Sequence, residues 1–127
     1  MDTVIVCILI AGLLPIVCAG IAKWGFKGYD NRDPRAWLAQ QTGFRARANA
    51  AQANSFEAFP FFAAGALLAL QAEADLAPIQ IACIAFVVFR GLYIASYVAD
   101  RATLRSTFWF GGIGSVVALF VMALRAA

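Results

Sequence analysis

From Thr3 to Ala22 the chain runs twenty residues without a charged side chain. A helix rises about 1.5 Å per residue, so this stretch alone can cross a hydrocarbon core of about 30 Å. Three further apolar stretches follow, beginning near Ala48, Leu76 and Ser106. The pattern predicts helical spans over about 3–24, 48–72, 76–99 and 106–125, filling one membrane domain over residues 1–127. Four spans leave little chain for anything soluble. The fold class expected is therefore all-α, an integral membrane four-helix bundle.

Composition agrees with that reading. Hydrophobic residues make up 63% and charged residues 13%, against about 45–50% and about 25% in soluble domains. A mean hydropathy of +0.79 likewise excludes disorder. The first span opens on Met1-Asp2 without a basic stretch, and its apolar run outlasts that of a cleavable leader. A retained helix, bent at Pro15, is expected. The net charge of +3 raises the question of nucleic acid. The basic residues, however, gather in two segments between spans, as membrane topology demands, and no nucleic-acid partner is expected. Histidine is absent, which removes the commonest metal ligand and the usual general base, and no metal site is expected. Cys7, Cys18 and Cys83 lie inside apolar runs without CxxC spacing and read as buried thiols.

With an even number of spans both termini lie on one side, so the Lys/Arg balance sets the orientation. Lys23, Lys27, Arg32, Arg35, Arg45, Arg47, Arg101 and Arg105 flank the first and third connections. Only Arg125 stands on the other side, where the second connection carries Glu73 and Asp75. The positive-inside rule then turns the basic connections to the cytoplasm and both termini outward. The first connection, Trp24 to Gly43, is the only long one. Asp33-Pro34 starts a short helix ending near Gly43, and Trp37 and Leu38 suit the membrane interface. It reads either as a lid over a cytoplasmic-side cavity or as a solvated connector.

Polar side chains inside a bilayer are costly and usually face a bundle interior or a wet cavity. Glu57 and Arg90 each lie nine residues inward from the cytoplasmic ends of their spans, about 14 Å below the same surface. They can pair. Asn54 and Glu57 at i, i+3, and Arg90, Tyr93 and Tyr97 at i, i+3, i+7, form two stripes facing each other at matched depth. Arg47 lies two turns before Asn54 on the same stripe, and Arg105 opens the fourth span at the same level. Two readings stand. In one, Glu57 and Arg90 neutralise each other and lock the bundle, with Asn54 bonding between helices. In the other, the stripes line a cytoplasm-facing pocket for an anionic, polar ligand. Gly111, Gly112, Gly114, Ser115 and Ala118 form a small-residue strip that permits close helix contact, within the subunit or in a homo-oligomer.

The segment Arg47-Ala-Asn-Ala-Ala-Gln-Ala-Asn54-Ser-Phe-Glu57-Ala-Phe-Pro60-Phe resembles the second-helix signature of the MAPEG superfamily, the membrane-associated proteins in eicosanoid and glutathione metabolism. Arg90-Gly-Leu-Tyr93-Ile-Ala-Ser-Tyr97 is similar to that family's third-helix pattern, and Leu104-Arg105-Ser106 falls where it has its fourth-helix arginine. The resemblance implies a bacterial-type member in the bacterial inner membrane, assembled as a homotrimer. It implies glutathione as co-substrate, held by Asn54, Glu57, Tyr93 and Tyr97, with Arg90 orienting Glu57 and Arg105 beside the thiol as the catalytic residue. Thiolate attack on a lipophilic electrophile from the bilayer, or peroxide reduction, would follow. One position departs from the pattern: the family's arginine four residues before Asn54 is Ala50 here. Arg47, one turn earlier, is the candidate substitute. The alternative implied by that departure is a non-catalytic member of the same fold that binds a lipid or a partner protein in the pocket. No discontinuous helices or repeated halves suggest a transporter.

Overall fold

A computed structural model describes residues 1–25 and 28–127; the expectation placed on Lys27 lies outside them. The helices are α1 (Asp2–Ala22), α2 (Pro34–Ala39), α3 (Gly43–Gln71), α4 (Leu76–Val98) and α5 (Ala102–Ala126). All but α2 are long and apolar enough to cross a membrane. α3 and α4 form the middle of the bundle, with α1 packed across one side of the pair and α5 across the other. α1 continues through Pro15 as one helix. Its side chains from Ile5 to Val17 alternate between the core and an exposed apolar surface, as a lipid-facing helix requires.

The boundaries differ from the sequence expectation in an informative way. α3 starts at Gly43, five residues before the expected start at Ala48, and α5 starts at Ala102 rather than Ser106. Hydropathy marks where the hydrocarbon begins, whereas a helix continues until its hydrogen bonding ends. The extra turn of α3 carries Arg45, which donates to the α1-terminal carbonyls of Ala22 at 2.8 Å and Trp24 at 2.6 Å. Those carbonyls have no partner inside α1, and a cation suits that end of the helix dipole. The expected short helix forms but ends at Ala39: Asp33 caps it by accepting from the Ala36 main-chain N–H at 3.1 Å, with Pro34 at the first position.

Two tight turns join α3 to α4 and α4 to α5. Both pass through an acidic residue in the left-handed region, Glu73 at φ 57° and Asp100 at φ 60°. In each, the following N–H reaches back five residues to close the helix end: Ala74 to Ala69 at 3.1 Å and Arg101 to Ser96 at 2.8 Å.

The interior divides into two clusters. Toward the termini, Phe62 stacks on Phe86 with centroids 4.0 Å apart, among Val4, Ala66, Ile79 and Leu119. Toward the basic connections, Cys18, Ala51, Tyr93 and Ile94 form a smaller cluster. Cys7, Cys18 and Cys83 are all buried, in line with their apolar surroundings in sequence.

Candidate functional site

Arg90, near the middle of α4, is 3% exposed. Its two terminal nitrogens both reach α3, one donating to Asn54 Oδ1 and the other to Ser55 Oγ, each at 3.0 Å. Ser55 in turn donates to the Ala51 carbonyl at 2.8 Å, the back-bonding habit of a hydroxyl inside a helix. The Arg90 guanidinium also lies 4.3 Å from the centre of the Tyr93 ring. The stripes on α3 and α4 therefore do meet at matched depth.

The expected direct pairing of Glu57 with Arg90 does not form. Glu57 is exposed and accepts a long hydrogen bond, 3.4 Å, from Asn54 Nδ2. Asn54 thus bridges the two charges: its oxygen faces Arg90 and its amide nitrogen faces Glu57. Geometry explains the substitution. At about 100° per residue, Asn54 and Ser55 are neighbours around the α3 axis, while Ser55 and Glu57 stand about 200° apart. A side chain lodged between Asn54 and Ser55 cannot also reach Glu57.

Tyr93 and Tyr97 meet edge to face with centroids 5.6 Å apart, and the Arg105 guanidinium lies 4.5 Å from the Tyr97 ring centre. Asn54, Tyr93, Tyr97 and Arg105 together line an open cleft of about 390 Å³, whose α5 wall is completed by Ser106, Trp109 and Phe110. The Arg105 guanidinium makes no hydrogen bond or ion pair to another described residue, and neither the Tyr93 nor the Tyr97 hydroxyl is engaged by one. The cleft presents unshared cationic and phenolic donors at the basic end of the bundle. Such donors suit an anionic group or a thiolate.

Arg47 does not join this cleft. Its Nε donates to the Val98 carbonyl at 3.0 Å, and its guanidinium lies 3.8 Å from the Asp100 carboxylate. It ties the start of α3 to the end of α4, so the expected stripe from Arg47 to Asn54 is interrupted. Nor does α2 cover the cleft: none of its residues lines it. Sequence reasoning missed Ser55, whose short hydroxyl reads as a packing residue, and the α5 wall. The spacing of Arg105, Ser106, Trp109 and Phe110 at i, i+1, i+4 and i+5 was the available signal, because those positions share one helix face.

The MAPEG family model matches residues 3–125, the whole bundle and every residue of the cleft. The chain belongs to the MAPEG family. It is accordingly an integral membrane protein of the group associated with eicosanoid and glutathione metabolism, and its four apolar helices form that membrane bundle. No curated protein and no solved structure is significantly similar to this MAPEG member.

Proposed function

We propose that this chain is a glutathione-dependent membrane transferase or peroxidase, with glutathione as co-substrate in the cleft of Asn54, Tyr93, Tyr97 and Arg105. The observation that carries this reading is the unshared guanidinium of Arg105 above Tyr97. A guanidinium there lowers the cost of ionising a thiol beside it, and the thiol proton passes to solvent at the open mouth. The thiolate then forms a C–S bond with a lipophilic electrophile arriving through the bilayer, whose leaving group departs with the bonding pair. With a hydroperoxide, two glutathione thiols are instead oxidised to the disulfide, giving alcohol and water. Asn54, Glu57, Tyr93 and Tyr97 hold the tripeptide, Glu57 facing its ammonium. Arg90 acts as a positioning residue through Asn54. Arg47 keeps the α3–α4 mouth in place.

The same reading includes a homotrimer in the bacterial inner membrane, with both termini outward. Glu57 supports the assembly: a carboxylate exposed well inside α3 is costly against lipid and is relieved by a neighbouring copy. Ala50 favours a second reading, a non-catalytic member holding a lipid or a partner protein in the same cleft, because the carboxylate clamp expected there has no guanidinium.

Titration of glutathione into the detergent-purified chain, followed by heat and by thiolate absorbance, separates the two. The first reading expects binding heat and a thiolate band. Arg105→Ala should abolish the band while sparing much of the heat. Absence of both signals in the unaltered chain overturns it in favour of the second.

A further inference from the structure

The seam between α4 and α5 carries two cavities that follow one another along it. The first, of about 310 Å³, lies at the end of the bundle where the termini are, between the α3–α4 turn and the last turn of α5. The second, of about 500 Å³, continues from it toward the middle of the two helices, and Pro78 and Met122 belong to both. Neither cavity shares a residue with the cleft or with α3.

Their chemistry differs. Glu73, Asp75 and Arg125 surround the first, and none of the three side chains is hydrogen-bonded or ion-paired to another described residue. Asp75 precedes α4 without capping it. The second cavity has no charged lining: Ile81, Ala82 and Ala85 share one face of α4, and Gly111, Gly114 and Ala118 share one face of α5. A Cβ at Gly114 would meet nothing within 4 Å, whereas one at Gly111 would stand 2.7 Å from the Phe89 ring. The groove is thus open at Gly114 and closed by Phe89 at its inner end. From Met122 to Gly111 it follows α5 for about 16 Å, and half of a hydrocarbon core of about 30 Å is about 15 Å. It is one leaflet deep.

Any acyl chain can occupy an apolar seam in a bilayer, so the hydrocarbon part alone selects nothing. The mouth selects. Two carboxylates and a guanidinium, all without partners and at headgroup level, match a headgroup that carries both an ammonium and a phosphate. A helix of a second copy would match the small residues but leave the three charges unpaired. We propose that this seam holds a phospholipid with a primary-amine headgroup, drawn from the leaflet on the side of the termini. Its ammonium donates to Glu73 and Asp75, its phosphate accepts from Arg125, and one acyl chain runs past Ala82 and Gly114 to stop at Phe89.

The test is native mass spectrometry of the full chain in neutral detergent, titrated with phosphatidylethanolamine, phosphatidylcholine or phosphatidylglycerol of identical acyl chains. Phosphatidylethanolamine should bind about tenfold tighter than phosphatidylcholine, whose quaternary ammonium cannot donate, a difference of one charge-assisted contact. Phosphatidylglycerol, with no cation for the carboxylates, should bind more weakly than phosphatidylethanolamine. Glu73→Gln combined with Asp75→Asn should remove the preference for the amine, and Asp100→Asn, the acid of the other turn, should leave it intact. Arg125→Gln should weaken phosphatidylethanolamine and phosphatidylcholine alike. Gly114→Leu, whose Cβ has open space, should weaken all three lipids. A preference that survives the double variant, or that Asp100→Asn removes equally, overturns the proposal. Undiminished binding in Gly114→Leu does so too, as does displacement by soluble glycerophosphoethanolamine at comparable concentration, which would reduce the site to its mouth. A disulfide between copies carrying Ile81→Cys, formed in lipid-saturated micelles, would assign the seam to a second copy instead and equally overturn it.

Discussion

The two ends of the bundle are held together by different physics. Toward the termini, the contacts are apolar and close: Phe62 lies flat on Phe86, and a methyl group at Gly65 would stand 3.0 Å from the Phe120 ring. Toward the basic connections, α3 and α4 are joined through Arg90, Asn54 and Ser55, and through Arg47 to Val98 and Asp100. In lipid, apolar surface gains little by leaving one hydrocarbon for another, so helix association rests on tight van der Waals fit and on polar contacts. Apart from one long hydrogen bond from Gln80 Nε2 to Thr3 Oγ1 at 3.4 Å, this chain uses fit at the terminal end and hydrogen bonds at the other. The cleft of Asn54, Tyr93, Tyr97 and Arg105 lies at the hydrogen-bonded end.

The largest expected effect comes from breaking the hydrogen-bonded end. The double substitution Asn54→Leu with Ser55→Ala removes both acceptors and leaves the buried Arg90 guanidinium only the face of the Tyr93 ring. A loss of about 3–5 kcal/mol is expected, read as reduced resistance to unfolding in detergent. Arg90→Met in the same background should recover most of it, since the uncompensated charge is then gone. If the double variant is as stable as the parent, the network is incidental and the contrast between the two ends fails.

That network also marks the limit of what was legible in sequence. The spans were legible because twenty uncharged residues in a row permit few alternatives, and the depth of Arg90 followed from counting residues inward. Azimuth was harder. Counting placed Glu57 and Arg90 at one height, but the partner was chosen by direction around the α3 axis, and the chain offered a hydroxyl at Ser55 that no periodicity singled out. Helix starts were displaced for a related reason: Arg45 and Arg47 serve the carbonyl ends of other helices, and such long-range capping leaves no trace in hydropathy. Arg105 and the two tyrosines were found because aromatic and basic residues are conspicuous in an apolar stretch, whereas Trp109 and Phe110 blended into theirs.

The apolar end should respond to volume instead. Gly65→Ala places its methyl against Phe120 and 3.3 Å from Leu119 Cβ, an atom fixed to the α5 main chain. A loss of about 1–2 kcal/mol is expected. Gly114→Ala, which meets nothing within 4 Å, is expected to cost nothing measurable. Adding Phe120→Leu to Gly65→Ala should give less than the sum of the two single losses, because the smaller side chain vacates the space the methyl needs. Strict additivity would show that the close approach is not what holds this end.

The smallest effect compares the two turns, one at each end. Glu73 and Asp100 both hold a left-handed conformation that a Cβ disfavours by about 1–2 kcal/mol. Glycine relieves that strain but adds freedom to the unfolded chain, so a net gain of about 0.5–1 kcal/mol is expected for Glu73→Gly. Asp100→Gly relieves the same strain and also removes the carboxylate 3.8 Å from Arg47. The Asp100 side chain is 75% exposed, which keeps that pair at the weak end for an ion pair, about 0–1 kcal/mol. Its gain should therefore be the smaller of the two, and the gap should close in high salt as the pair is screened. Equal gains at low salt would mean that the Arg47 contact with Asp100 adds nothing. The turn at the hydrogen-bonded end would then be held as its counterpart is, by main-chain geometry alone.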